Sequence, residues 1–224
     1  MELVLPEKKQ AVSADLRRLI GSEKVRDDVP TLTAYAVDAS IYRLIPKAVV
    51  LAESEDDVQL AVEYAARMGV PLTPRAAGTN LTGSAIGSGI ILDISRLNRI
   101  LEVNQEEKWA RVQPGMVFAE LNKRLARYGL LFGPDPSSGD MCKLGGMLAN
   151  NSSGPHTLRY GSVKDNVLAL RIHLQGSGWL NAHSYDLADP QLADIFAAHP
   201  RLAGVLELVR KHADLIRTKQ PAVS

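Results

Sequence analysis

Hydrophobic positions in this chain come in short clusters whose spacing switches repeatedly between the helical and the extended period. Val12, Leu16 and the pair Leu19–Ile20 sit at helical intervals between Lys9 and Ile20, and Gly21 follows as a stop, which predicts a helix. Val25 to Arg43 is mixed and turn-rich. Ala48-Val49-Val50-Leu51 is an unbroken apolar run and predicts a short buried strand. Ser54-Glu55-Asp56-Asp57 then supplies a capping signature. The helix it opens carries Val58, Leu60-Ala61-Val62 and Tyr64-Ala65-Ala66, and ends at Gly69. Val70 to Thr73 returns to the sheet. A strand–helix–strand unit of this kind makes a parallel crossover, and open α/β sheets bind ligands at the C-terminal ends of their strands.

Further along, Gly89 to Ile94 predicts a strand. Ile100–Val103 and Trp109–Val112 flank the polar turn Asn104 to Lys108 as a hairpin. Val117 to Tyr128 is an amphipathic helix closed by Gly129. Leu130-Leu131-Phe132 reads as a short strand, and Gly133 to Ser138 as a rigid turn. Val167 to Leu174 predicts another strand, and Pro190–Ala198 and Leu202–Arg217 predict helices. The tail from Thr218 to Ser224 stops without a closing element, as a frayed end or as a cut within a longer protein.

Between the apolar runs lie two loops of unusual chemistry. Pro71 to Ser84 combines small residues, hydroxyls and the single Arg75, which makes poor core and poor helix. It makes a good concave turn whose N–H groups can converge on an anion. Leu144 to Gly154 repeats that chemistry downstream. Glycines concentrate here too: Gly78, Gly83, Gly87 and Gly89 in the first region, and Gly139, Gly145, Gly146, Gly154 and Gly161 in the second. Two phosphate-type loops suggest a dinucleotide, against the bland alternative of two surface turns. The chain lacks both the P-loop signature and a helix-opening G-x-G-x-x-G, so neither a P-loop nucleotidase nor a Rossmann site is supported.

Composition narrows the classes. The 224 residues are 46% hydrophobic and 23% charged, as in soluble globular proteins, and suffice for one large domain or two small ones. Lys+Arg of 26 against Asp+Glu of 25 leaves no positive excess for nucleic acid. A single cysteine, Cys142, excludes an intramolecular disulfide and a cysteine-cluster metal site, and is expected to be a small packed residue. The histidines His173, His183, His199 and His212 show no metal-ligand spacing, so no metal is expected. No apolar run approaches the roughly 20 residues of a membrane span. Charges in Met1–Gln10 replace a signal peptide's apolar core, so a cytoplasmic location is expected, with peripheral attachment to the inner membrane left open.

The order of residues carries a resemblance. Pro74-Arg75-Ala76-Ala77-Gly78-Thr79-Asn80-Leu81-Thr82-Gly83 resembles the pyrophosphate loop of the FAD-binding domain of the vanillyl-alcohol oxidase/p-cresol methylhydroxylase superfamily. Pro134-Asp135-Pro136 and then Cys142 to Gly154 resemble its second flavin-contacting stretch, and Tyr160-Gly161-Ser162-Val163-Lys164-Asp165-Asn166-Val167 continues the likeness in order. The chain is most similar to the branch that holds the D-type subunit of glycolate oxidase, D-lactate dehydrogenase and D-2-hydroxyglutarate dehydrogenase, over roughly Asp38 to Leu174. The resemblance implies an α+β fold of two subdomains with the flavin between them. A lead segment would occupy 1–44, the first subdomain 45–104, and the second, incomplete at its C-terminus, 105–224.

The resemblance also distributes roles. Ala76, Ala77, Gly78, Thr79, Asn80 and Leu81 would offer N–H groups to the FAD pyrophosphate, Gly83 would allow close approach, and Thr79 and Ser84 would add hydroxyls. Arg75 would neutralise phosphate charge or tie the loop through backbone carbonyls. Pro134 and Ser138 would contact the cofactor at a turn. Gly145, Gly146, Asn151, Ser152, Ser153 and Gly154 would line the isoalloxazine and ribityl side, with Tyr160, Gly161 and Val167 beyond them. Some relatives attach FAD through a histidine where this chain has Thr79, so non-covalent FAD is implied. Lys143 would face the phosphates or point to solvent, and His156 would be catalytic or a hydrogen-bonded structural residue. Trp109 and Trp179 are expected to pack in the fold.

The implied reaction is dehydrogenation of a small D-2-hydroxy acid, a hydride passing from the substrate Cα to flavin N5. The base and the carboxylate-binding arginines would lie in a downstream cap domain and C-terminal portion, leaving no catalytic residue assignable here. The chain would thus be an N-terminal fragment of an enzyme, inactive alone, whose full length has room for an iron–sulfur module. Two other classes remain open: a non-catalytic flavin-binding or electron-transfer module, and a reductase of the UDP-N-acetylenolpyruvoylglucosamine type.

Overall fold

The structure, a computed structural model, describes residues 7–186 and 189–219; the end of the tail after Lys219 and the first residues of the charged Met1–Gln10 segment lie outside them. The chain forms two compact units, Met1–Val167 and Leu168–Ser224. The subdomain boundary expected after Asn104 falls inside the first.

The first unit opens with helix α1 (Glu7–Ile20), strand β1 (Val25–Arg26) and helix α2 (Val29–Tyr35). Helix α2 occupies a stretch whose sequence reads only as turn-rich. Asp28 caps it by accepting from the Thr31 N–H at 2.9 Å, and Pro30 sits in its first turn, where a missing N–H costs nothing. Strand β2 (Ala48–Leu51), helix α3 (Glu55–Met68), strand β3 (Leu72–Arg75) and strand β4 (Ile90–Asp93) follow. The four strands form one sheet in the order β1-β2-β4-β3, with β1 antiparallel and the others parallel.

Both faces of this sheet are covered, which explains the unbroken apolar runs. Ala48, Val50, Ile90 and Leu92 turn to one face, against Val12 and Leu16 of α1 and Ala61 and Tyr64 of α3. Val49 and Ile91, one residue out of step, turn to the other and meet Leu32 of α2. Each such side chain, fully buried, contributes about 1.5–3 kcal/mol. Gly89 leads into β4 hard against Pro71, the residue before β3: a Cβ there would lie 1.9 Å from the Pro71 carbonyl oxygen, so no other residue fits.

Helix α3 starts and stops as its sequence predicts. Ser54 and Asp57 form a reciprocal capping box, and Gly69 closes the helix in the left-handed conformation at φ 61°. Asp57 does more than cap. Its carboxylate accepts from Lys24 Nζ at 2.9 and 3.1 Å and from the N–H groups of Glu53 and Ser54 at 2.9 and 3.1 Å.

Strands β5 (Ile100–Asn104) and β6 (Trp109–Val112) form the expected hairpin, and helix α4 (Phe118–Leu125) packs Leu121 and Leu125 with Met116 against it. The strand expected at Leu130–Phe132 does not form. Asn122 of α4 takes a partner strand's place: its side-chain amide donates to the Phe132 carbonyl at 3.1 Å and accepts from the Phe132 N–H at 2.8 Å. The second glycine-rich loop contains a short helix, α5 (Leu144–Ala149), and helix α6 (Thr157–Tyr160) and a 3₁₀ turn (Val163–Asn166) come after it. Met147, Cys142 and Val163 are buried together beneath them, so Cys142 is a packed residue; burial pushes its thiol up despite a hydrogen bond with Ser138.

In the second unit, strands β7 (Ala169–Leu174) and β8 (Gly178–His183) pair antiparallel in unbroken register, turning through Gly176 and Gly178, both at positive φ. Helices α7 (Gln191–Ala198), α8 (Pro200–Lys211) and α9 (Ala213–Lys219) complete it. The single helix expected from Leu202 to Arg217 is broken at His212, where φ is −109° and ψ 18°. Trp179 stacks edge-on against His173, with ring centroids 5.1 Å apart.

Burial works to raise the Asp57 pKa, but the Lys24 ammonium and the N–H groups it accepts from outweigh that and hold it below the usual carboxylate range. A carboxylate depressed in the folded state stabilises fully above its unfolded pKa near 4 and loses that contribution as pH falls through the folded value. Lys24→Met should therefore cost about 1.5–3 kcal/mol at pH 7, and the difference from wild type should shrink on acidification below pH about 4. Urea denaturation at the two pH values measures both.

Candidate functional site: a two-loop anion cradle at the sheet edge

The first loop leaves β3 at its C-terminal end, so topology puts its leading residues from Ala76 at the ligand-binding edge of the parallel sheet, and its last residues run back past Thr73 to the N-terminal end of β4. The loop begins with Arg75, which is spent on the loop itself. Its Nη1 donates to the carbonyls of Val37 at 2.9 Å, Ala85 at 3.3 Å and Tyr35 at 3.4 Å. The guanidinium lies 5.1 Å from the centroid of the Tyr35 ring. Of the two roles considered for Arg75, the geometry is that of the carbonyl tie.

Gly78 sits directly on that guanidinium. It has φ 71°, and a Cβ there would lie 2.5 Å from Arg75 Nη2. Gly83, at φ 80°, is met in the same way by the Tyr42 ring at 2.9 Å. These are the two positions in the loop where glycine is required by conformation and space together. The intervening chain is shaped by Asn80, whose Oδ1 accepts from the Thr82 N–H and hydroxyl, each at 2.8 Å, and from the Ser84 N–H at 3.1 Å. Asp38 closes the far side, accepting from the N–H groups of Ser40 at 2.9 Å and Ala85 at 3.4 Å. Burial works to raise its pKa, but those bonds, the Ser40 hydroxyl and the Arg75 charge prevail and hold it low.

What remains is a row of unspent donors. Among the described residues, no N–H from Ala76 to Leu81 reaches a protein acceptor. Backbone donors on a turn with left-handed residues are the chemistry of an anion cradle, and they need no cationic side chain.

Helix α5 of the second loop faces the first loop. A Cβ on Gly146 would lie 3.5 Å from that of Ala76, and Asn80 Nδ2 donates to Asn150 Oδ1 at 3.1 Å. Gly145 is wedged against Ile94 and Pro114. Beyond α5, Asn151 adopts φ 46° and its Oδ1 accepts from the Lys164 N–H at 2.9 Å, while the Ser152 carbonyl accepts from the Val163 N–H. Gly154 crosses the Pro134-Asp135-Pro136 turn so closely that a Cβ would lie 2.1 Å from the Asp135 carbonyl oxygen. Gly133 packs beneath the Tyr160 ring in the same manner.

Several sequence candidates thus serve the frame. Pro134 is fully buried, and the Ser138 carbonyl turns the chain by accepting from Met141 and Cys142. Gly161 (φ 71°) lies against Asp165, which caps Ser162, and Val167 packs on Met147 and Val163 rather than starting a strand. His156 is paired through Nδ1 with the Asp135 carboxylate, the hydrogen-bonded arrangement weighed for it. That pairing holds Asp135 below the usual carboxylate range. Lys143 uses its backbone to bridge Val117, and its side chain has no ion pair among the described residues. Thr79 and Leu81 lie within the donor row, with the Leu81 side chain 76% exposed, and Ser84 ends the turn through its N–H bond to Asn80.

Tyr35 and Asp93 escaped the sequence reading. Asp93, buried at the end of β4, accepts from the Tyr35 hydroxyl at 2.5 Å and the Ser95 N–H at 2.6 Å. Tyr35 in turn holds Arg75 by ring and carbonyl. Burial and the Asp93 bond push the Tyr35 hydroxyl pKa well up. An acidic residue closing an apolar strand is the only signal in the sequence that could have marked the pair. A cleft of about 270 Å³ between α1 and α3, lined by Asp15, Arg18, Leu19, Tyr64, Arg67 and Met68, lies toward the opposite end of β3.

Fold and loops together define a domain in which two facing glycine-rich loops present a row of backbone N–H groups that no protein acceptor among the described residues uses. The chain matches the FAD binding domain family over residues 46–181, and it belongs to that family. FAD is accordingly its cofactor, and the free N–H row and the two facing loops fit a flavin dinucleotide. Among similar proteins, D-2-hydroxyglutarate dehydrogenase of Pseudomonas putida is 37% identical over 212 residues, 90% of this chain and 21% of that protein. Glycolate oxidase subunit GlcD of Escherichia coli is 30% identical over 219 residues, 92% of this chain and 44% of that protein. The fold superposes on alkyldihydroxyacetonephosphate synthase with a TM-score of 0.74 at 25% identity, covering 84% of this chain and 36% of that one. It also superposes on p-cresol methylhydroxylase at 0.65 and 17% identity, covering 80% and 36%, a likeness of fold. The expected fold is therefore the observed one, and the chain spans less than half the length of these relatives.

Gly78→Ala should weaken FAD binding at least about tenfold, a loss of about 1.4 kcal/mol, because the new methyl must displace the Arg75 guanidinium. Gly129→Ala is the control: Gly129 is also left-handed, at φ 67°, but has nothing within 4 Å of an added Cβ. It should cost about 1–2 kcal/mol of stability and leave flavin affinity unchanged. FAD titration beside urea denaturation separates the two effects.

Proposed function

We propose that this chain is the FAD-binding portion of a flavin-dependent oxidoreductase that dehydrogenates a small D-2-hydroxy acid. Support comes from the 37% identity to D-2-hydroxyglutarate dehydrogenase over 90% of the chain, with the glycolate oxidase protein GlcD as a second relative over 92%. The candidate substrates are D-2-hydroxyglutarate, D-lactate and glycolate.

When bound, FAD supplies the acceptor for the hydride that leaves the substrate Cα. The chain's own part is binding and orientation. The N–H groups from Ala76 to Leu81 hold the pyrophosphate, and Gly83 and Ser84 complete that wall. Gly145, Gly146 and Asn151 to Gly154 form the opposite wall along the ribityl and isoalloxazine side. Pro134, Ser138, Tyr160, Gly161 and Val167 keep that wall in register. The substrate base and the groups that bind its carboxylate belong to the portion of the relatives this chain does not span, including a cap domain, and an iron–sulfur module is a further candidate for that portion. Thr79 cannot form the histidyl link, so the flavin is held non-covalently. Among the described residues no helix is long and apolar enough to cross a membrane; a cytoplasmic site of action, peripheral to the inner membrane, is part of the proposal.

FAD at about 100 times its Kd should add about 2.7 kcal/mol of stability, seen as a rise in melting temperature. Acid precipitation should release all yellow colour into the supernatant. A chain that stays colourless and gains no stability with excess FAD would overturn the flavin reading. In the longer protein, bleaching of the flavin band by D-2-hydroxyglutarate, D-lactate or glycolate identifies the substrate. Bound flavin that none of them bleaches would favour an electron-transfer module.

A further inference from the structure

The two cradle loops are seventy residues apart in sequence, yet one side-chain hydrogen bond spans them, from Asn80 Nδ2 to Asn150 Oδ1 at 3.1 Å. Each asparagine is anchored on its own side. Asn80 Oδ1 gathers the Thr82 N–H and hydroxyl and the Ser84 N–H, fixing the first loop. Asn150 Nδ2 donates to the Gly146 carbonyl at 2.9 Å, fixing the last turn of α5. The two amides therefore form one relay: Thr82 and Ser84 to Asn80, Asn80 to Asn150, Asn150 to Gly146. The backbones approach at the same place, with Gly146 set against Ala76.

An amide pair suits this position chemically. Asn80 uses both ends of its amide at once, and so does Asn150, so neither can be replaced by a residue that only donates or only accepts without breaking one link. A carboxylate pair would repel itself and an anionic cofactor; a charged pair would add a field to a cradle that works through neutral N–H groups. The amides join the walls and leave their charge unchanged.

We propose that Asn80 and Asn150 are a positioning clasp that makes the two loops one site, so that the wall along the ribityl and isoalloxazine side is held at a set distance from the pyrophosphate wall. Asn150 is the new assignment, and the functional half of the inference rests on the flavin reading above. A ligand that spans both walls feels the clasp; one confined to the pyrophosphate wall does not. The ratio of FAD to ADP affinity therefore reports it.

Three variants and two probes test this. Asn150→Ala removes both links. It should weaken FAD about two- to tenfold, the worth of one net hydrogen bond, while ADP changes less than about twofold, so that the affinity ratio falls. Asn150→Asp keeps the oxygen that accepts from Asn80 and loses only the Gly146 link. Its added charge acts on the phosphates of both ligands, so the ratio should stay near wild type. Asn80→Ala, which also frees Thr82 and Ser84, should weaken both ligands. Amide exchange of Thr82 and Ser84, measured without any ligand, is the second readout. In Asn150→Ala it should quicken several-fold although the substitution lies on the other loop. Unchanged exchange at Thr82 and Ser84, or equal weakening of FAD and ADP by Asn150→Ala, overturns the clasp. Quickened exchange in a chain that binds neither FAD nor ADP supports the clasp and sinks the flavin reading instead.

Discussion

The guanidinium of Arg75 is the fixed point on which the cradle depends. It ends β3, lies beneath Gly78, and reaches the carbonyls of Tyr35, Val37 and Ala85, which belong to a helix, an extended segment and the returning half of the loop. Two of the three bonds are long, so their strength is collective. Buried Asp93, accepting from the Tyr35 hydroxyl, keeps the tie in place from below. With its own charge engaged in this way, Arg75 sets the loop's shape, and the anion is left to backbone donors.

The arrangement has an electrostatic logic. Asp38 and Asp93 flank Arg75, so the floor of the loop carries no excess positive charge. In the proposed function, recognition of a pyrophosphate rests on oriented N–H dipoles, whose free energy is strong only where water is displaced and the donors are already in place. That requirement accounts for the density of bracing around the cradle: Asn80 within the loop, Gly83 under Tyr42, the approach of Gly146 to Ala76, and the crossing of Gly154 over Asp135. Each replaces side-chain charge with backbone geometry, and each requires a residue that is small or that carries an amide.

Much of the scaffold was legible from the chain. The capping box at Ser54–Asp57, the stop at Gly69, the runs at Ala48–Leu51 and Ile90–Leu92 and the hairpin about Asn104–Lys108 all express local rules, and all recur in the structure. The misreadings share a cause. Leu130–Phe132 has strand-forming residues, but Asn122 satisfies Phe132 in place of a strand, a tertiary choice with no local signal. Helix α2 hides in a mixed segment because only Leu32 is buried there, too little for a periodic stripe. Helix α5 is rich in glycine, which local propensity disfavours; its first turn is held by the carbonyls of Pro114 and Met116.

The site divides along the same line. Glycine placement and the order of the two loops are properties of the chain, and they suffice to suggest a dinucleotide cradle; the flavin entered through the resemblance those loops carry, which through Thr79 also implies a non-covalent cofactor. Which residues would touch the cofactor and which hold the others was decided only by folding. Arg75 turned inward because three carbonyls converge on it, His156 found Asp135 across a crossing of two segments, and Asn150 met Asn80 across seventy residues of sequence. Local propensity reads neighbours in the chain, and these partners become neighbours only when β4 inserts between β2 and β3 and α5 buries its Met147 against Cys142 and Val163.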